Sequence, residues 1–336
     1  MKIYIKYLIT AFSKSFLYVF LVILSLVFIL SILTELEFFR EIDVKPLFPI
    51  YLSLLNAPTT IFEMFPFIFL ISTQFFFINL FYDNQIQIFK YSGLKNSSII
   101  IIISSFSTIL GIIIIIFFYN FSSSLKNVYL ELKSKYSSDD KYLAVITKNG
   151  LWIKDKLDNK ISIVNASRIE GKFLKDTFIT QFNENYVVIR NIRSEKINIG
   201  EKNWVAYDAK IFENNTGSEQ PELYIKSNFD YQKIKSLFSN LSSLSIIGLI
   251  ELKKNYKSLN YSTTEVDMQI NRIITFPIYL TLMTIFASII MFNTKKFKST
   301  ILKISVGLFS SVIIYYVNNF LNVMGKTEKI SLMLSI

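Results

Sequence analysis

Chemistry has few places to reside in this chain. It has no cysteine and no histidine. That removes disulfides, Cys/His metal centres, thiol nucleophiles and Ser-His-Asp triads in one step. A metal held by carboxylates alone needs a tight Asp/Glu cluster, and none lies in the apolar stretches. The most suggestive short motif is Gly325-Lys326-Thr327, which has the ending of a phosphate-binding loop. Such a loop needs another glycine five residues before Gly325, where this chain has Phe320. No catalytic residue, metal site or cofactor is expected, and any ATP hydrolysis has to come from another chain.

Binding is better provided for. Asp83-Asn84-Gln85-Ile86-Gln87-Ile88-Phe89-Lys90-Tyr91-Ser92-Gly93 mixes polar and apolar positions and stops at a glycine suited to a helix C-cap. It reads either as a plain connector or as a short helix along the inner membrane surface, placed to dock into a groove on a cytoplasmic partner. Arg40 and Lys45 are the cations of an otherwise acidic stretch that also holds Glu35, Glu37, Glu41 and Asp43.

The elements that position these residues are membrane spans. Hydrophobic residues make up 51% of the chain, and five uncharged stretches stand out near 15–34, 64–82, 97–124, 273–294 and 304–325. About 20 such residues cross a bilayer as a helix. The net charge of +11 would prompt a nucleic-acid reading in a soluble protein, but the basic residues are scattered and no nucleic acid is expected as partner. Lys2, Lys6 and Lys14 precede the first span, Lys90 and Lys95 follow the second, and Lys295, Lys296 and Lys298 follow the fourth, so all three groups fall on the same side. The positive-inside rule makes all three groups cytoplasmic and sends residues 125–270 outside. Met1 to Ala11 either lie as an amphipathic helix in the interface or extend the first span. Pro58 is expected to start the second span and Pro66 to kink it. Ile330 to Ile336 look like the opening turns of a sixth helix, cut short, or a segment that only dips into the outer leaflet.

The stretch between the third and fourth spans reads as β structure. Tyr142–Thr147, Gly150–Asp155, Lys160–Val164, Thr177–Phe182, Tyr186–Arg190, Lys196–Ile199 and Trp204–Phe212 are short β-branched or alternating runs parted by Asn, Asp and Gly. A sandwich, jelly roll or open barrel is expected. From about Asp230 to Lys257 the period shifts towards helix. The chain thus divides into 1–124 (N-terminal segment and three spans), 125–270 (β domain with a helical linker) and 271–336 (two spans and the start of a third).

Taken together, these features resemble the LptF/LptG permease family of the lipopolysaccharide-exporting ABC transporter. The resemblance covers the whole chain: three spans, a β insert, further spans, Pro58 and Pro66, and the short segment ending at Ser92-Gly93. Gly150-Leu151-Trp152-Ile153-Lys154-Asp155 and Leu244-Ser245-Ile246-Ile247-Gly248-Leu249 are similar to the LptG branch, and Phe276-Pro277 with Met283 to the start of the family's fourth helix. The resemblance implies a membrane α-helical permease of six-span type with an inserted periplasmic β-jellyroll, in a bacterial inner membrane with a cytoplasmic N-terminus. It implies a non-catalytic subunit that pairs with a paralogous LptF-like permease, a cytoplasmic LptB-like ATPase dimer and a single-span periplasmic LptC-like subunit, with lipopolysaccharide as substrate. Asp83, Asn84, Gln85, Ile88, Phe89 and Gly93 then belong to the helix that couples to the ATPase. Arg40 and Lys45 become candidate contacts for lipid phosphates. Two departures stand out. Gln85 occupies a position where the family usually has an acid, leaving Asp83 as the nearby carboxylate. Glu35 and Glu37 lie where basic residues are common. The competing reading is a membrane-anchored periplasmic ligand-binding or sensor protein, but a sensor needs a cytoplasmic output domain and no inside segment is long enough for one.

Overall fold

Five described helices are long and apolar enough to cross a membrane, three before a β insert and two after it. The computed structural model describes residues 3–136, 151–157, 160–213, 216–231, 233–234, 240–258, 262–293, 299–327 and 329–331. The expected strand Tyr142–Thr147, Gly150, the Lys295–Lys298 turn and Leu332–Ile336 lie outside these residues. The chain forms two compact units. One comprises Met1–Tyr129, Ser242–Ile246 and Thr264–Ile336, and the other Leu130–Leu241 and Ile247–Thr263.

The helical unit begins with α1 (Ile3–Phe38). Its first turns are not a separate interfacial helix, because the same helix continues unbroken through the first span. A short connection leads to α2 (Phe48–Tyr82), which contains both Pro58 and Pro66 in its interior. Pro58 therefore does not start the helix as its sequence suggests. Pro49 takes the N-terminal position instead, where a missing N–H costs nothing. Two internal prolines are tolerated because α2 is the most buried of the spans and its neighbours hold it in place. α3 (Gln85–Tyr91) follows, then α4 (Asn96–Ile113), a π-turn (Ile114–Tyr119) and α5 (Asn120–Ser134).

After the β insert and α6 (Ile246–Ser258) come α7 (Thr264–Asn293) and α8 (Thr300–Lys326). Pro277 lies well inside α7 rather than at its start. Lipid tails are as apolar as leucine side chains, so packing and hydrogen bonds must join these helices. Rings do much of it. Phe62 of α2 stacks on Phe276 of α7 at 4.5 Å and meets Tyr119 at 5.1 Å, while Phe16 of α1 packs edge-on to Phe69 at 5.2 Å. Hydroxyls join α4 to α7 through the pair Thr108–Thr281 at 2.8 Å and Thr284 donating to Ser107 at 3.0 Å. At Gly307 of α8 a Cβ would collide with the side-chain amide of buried Gln74 on α2, so that glycine lets the two helices close around a polar group.

Among the described residues the β unit is one antiparallel sheet of seven strands: β1 (Leu151–Leu157), β2 (Lys160–Ala166), β3 (Arg168–Glu170), β4 (Phe173–Phe182), β5 (Val188–Asn198), β6 (Asn203–Glu213) and β7 (Thr216–Lys226). They order as β1-β2-β4-β5-β6-β7, with β3 paired beside β4. Register explains the burial pattern. Ile153, Val164, Ile179, Ile192 and Ile211 lie side by side across five strands and are all buried. The neighbouring row, Trp152, Asn165, Phe178, Arg193, Lys210 and Glu219, faces outward. Burying each large aliphatic side chain contributes about 1.5–3 kcal/mol. Lys196–Ile199 does not form a strand of its own, since Lys196–Asn198 closes β5.

Asp155 fastens the segment after β7 onto β1. It is 3% exposed, and its carboxylate accepts from Ser227 Oγ at 2.7 Å, the Asn228 backbone N–H at 3.0 Å and Asn228 Nδ2 at 2.8 Å. Asp155→Ala removes three hydrogen bonds, one of them from the buried Ser227 hydroxyl, at a cost of about 3 kcal/mol. Limited proteolysis of the full-length variant should therefore cleave the β unit faster than wild type by about two orders of magnitude. Unchanged cleavage would show that the carboxylate holds nothing.

Candidate functional site

The segment from Asp83 to Gly93 forms a short helix with well-defined ends. Asn84 stands before it in the left-handed region, φ 54°, a conformation asparagine tolerates better than most residues. At the other end Gly93 has φ 82°. Its N–H donates to the Lys90 carbonyl at 3.0 Å and that of Leu94 to the Phe89 carbonyl at 2.9 Å. These two bonds are the Schellman closure, which needs a residue free to adopt positive φ. The glycine thus does what its place in the sequence suggested.

Only Ile86 of α3 is buried. Ile88 and Tyr91 are exposed, at 60% and 89%, and Phe89 is half-buried. Asp83 and Asn84 are exposed, and Gln85 lies between. Sequence reasoning missed the residue that organises them. The Tyr7 hydroxyl, on α1, donates to Gln85 Oε1 at 2.6 Å, and Gln85 Nε2 donates to Asp83 Oδ2 at 3.0 Å. The Tyr7 ring also meets Phe89 at 6.2 Å. An open groove of about 890 Å³ lies between the start of α1 and α3, lined by Ile3, Tyr4, Tyr7, Gln85, Ile88, Phe89, Ser92 and Leu94. Six predicted residues are thus brought together on one segment, with a seventh from 78 positions away.

Arg40 and Lys45 are elsewhere. Both are exposed in the connection between α1 and α2. They stand at the opposite end of a 35-residue helix, about 52 Å long at 1.5 Å per residue. Close to them in sequence, Glu35 is 1% exposed and turned inward, where it accepts from the Tyr129 hydroxyl at 2.8 Å. Lys126 lies over the Tyr129 ring, 4.6 Å from its centre, and donates to Asn56 Oδ1 at 2.6 Å. Glu35 therefore ties α1 to α5 and faces away from the surface where Glu37 and Arg40 are exposed.

The described residues thus combine five apolar spans, an antiparallel β unit and an exposed helix on the connection between the second and third spans. A family model described as lipopolysaccharide export system permease LptF/LptG matches residues 6–336. No curated protein matches the chain.

Proposed function

The chain belongs to the LptF/LptG family of lipopolysaccharide export permeases, and from that premise we propose that it is one of two permease subunits in an ABC transporter. The transporter extracts lipopolysaccharide from the inner membrane and passes it to a periplasmic bridge. The observation that carries this reading is the extent of the family match, which takes in both the spans and the β unit. The protein is a multi-pass inner-membrane transporter subunit. The N-terminus and α3 are cytoplasmic in this reading, the β unit is periplasmic, and the domain limits fall near residues 124 and 270. The stretches Gly150–Asp155 and Leu244–Leu249 support the reading that it is the LptG-like one of the two.

Energetics give the reason for an ATPase partner. Each buried CH₂ contributes about 0.8 kcal/mol, so one acyl chain of about a dozen carbons resists extraction by about 10 kcal/mol. A lipid with several chains does not leave unaided. α3 supplies a surface on which a cytoplasmic ATPase dimer can push, through Asp83, Gln85, Ile88 and Phe89. A paralogous permease and a single-span periplasmic subunit complete the assembly. Affinity purification of the tagged chain from its own membranes should retain an ATPase subunit and a second permease. Recovery of the chain alone, or with a periplasmic ligand and no ATPase, would favour the anchored-receptor reading.

Arg40 and Lys45 are the proposed contacts for lipid phosphates at the far end of α2. The double variant Arg40→Glu/Lys45→Glu should lower lipopolysaccharide-stimulated ATP hydrolysis at least about tenfold, the weight of one charge-assisted bond. Equal stimulation in variant and wild type would move phosphate recognition to other residues.

A further inference from the structure

Tyr7 contacts α3 at two points one turn apart. Its hydroxyl meets Gln85, the first residue of the helix, and its ring meets Phe89. Positions four apart lie on one face of a helix, so a single side chain grips that face of α3 along its length. Seven residues are too few to hold a helix by themselves. The cap residue Asn84 makes no side-chain cap bond, and Ile86 alone is buried. On the other side Tyr7 is firmly rooted. Leu8 and Phe12 of α1 are fully buried, and Phe12 packs edge-on against Phe76 of α2 and Phe106 of α4 at 5.8 and 6.0 Å.

The relay also explains why residue 85 is glutamine. Its carbonyl oxygen accepts from Tyr7 while its amide donates to Asp83. Glutamate could accept from the phenol but would repel Asp83, the only acid between residues 83 and 93.

We propose that Tyr7 is a positioning residue of the coupling surface: through Gln85 it orients Asp83, and through Gln85 and Phe89 it fixes α3 to α1, so that a push on α3 moves the first span as well as the second. This rests on the reading of α3 as the segment that receives the ATPase. Tyr7 does not touch the nucleotide or the lipid; it transmits.

The test uses the complete transporter in nanodiscs, with lipopolysaccharide or with phospholipid alone. Tyr7→Phe keeps the ring contact and removes only the hydroxyl. It should retain the ATPase subunit, while the increment in ATP hydrolysis caused by lipopolysaccharide falls about three- to tenfold. The chain has no cysteine, so the double variant Tyr7→Cys/Gln85→Cys offers a reducible bifunctional thiol reagent a single pair of sites in it. Bridging the pair should restore the increment, and reduction should remove it again. A full increment in Tyr7→Phe, or a bridged pair no better than an unbridged one, overturns the proposal. If the wild-type chain retains no ATPase, the reading of α3 itself fails, a result visible before any variant is made.

Discussion

Ile86→Asp is expected to abolish retention of the ATPase subunit while leaving the chain in the membrane. Ile86 is 3% exposed and is the only residue of α3 held in the core. A carboxylate there would be buried without a partner, which costs several kcal/mol. α3 can avoid that cost by lifting away, because the contacts Tyr7 makes with Gln85 and Phe89 are weaker than the penalty and a helix of seven residues does not hold itself. The docking surface would then lose its shape even though Asp83, Ile88 and Phe89 remain. Ile86→Val, a loss of about 1 kcal/mol, should keep the ATPase bound and provides the control. Quantitative affinity purification separates the outcomes. Normal retention by Ile86→Asp would mean that the ATPase does not need α3 in its folded place.

Gly111→Leu should prevent the helical unit from folding. Gly111 lies where α4 crosses α7, and an added Cβ would stand 3.0 Å from Pro277 Cα, 3.2 Å from Pro277 Cβ and 3.3 Å from Leu280 Cδ1. The nearest atom is backbone and belongs to a rigid ring, so it cannot swing aside. Alanine alone should cost about 1–3 kcal/mol as an overpacked contact. Leucine has to push the helices apart, which also breaks the Thr108–Thr281 and Ser107–Thr284 bonds beside it. Each bond of this kind contributes about 0.6 kcal/mol in a membrane bundle. Thermal melts of the solubilised protein should show a lowered midpoint for Gly111→Ala and no folded, monodisperse species for Gly111→Leu. A Leu variant that melts like wild type would show that the crossing is looser than its distances imply.

The five spans were legible because long uncharged runs have few other uses, β1 because its buried and exposed residues alternate, and β2 because it is rich in β-branched residues. β7 was not legible. Its first seven residues, Thr216–Glu222, carry no large apolar side chain and are all exposed, and that stretch is held mainly by backbone pairing with β6. The start of α2 was misjudged because Pro58 and Pro66 break helices in water, whereas packing against neighbouring helices supports them here. At the candidate site the glycine stop of α3 could be read directly, since Gly93 serves a local backbone need. Tyr7 could not, because nothing in the pattern near residue 7 points to a glutamine 78 positions later. The π-turn was equally hidden. It spans Ile114–Tyr119, inside a run of isoleucine and aromatic residues, so no stripe exists to reveal a change of period.

That turn sets the azimuth of everything that follows it in the third span. An i→i+5 turn takes one residue more than an α-turn, and each residue of an α-helix subtends about 100°. α5 is therefore rotated about a quarter-circle from the phase an unbroken helix would give it. At its actual phase Lys126 reaches Asn56 and Tyr129 reaches Glu35. The same side chains on an evenly wound helix would point at other neighbours. The polar cluster at that end of the bundle is thus a matter of counting: inserting or deleting one residue between 114 and 119 would turn residues 120–134 like a screw, changing their partners without changing a single one of them.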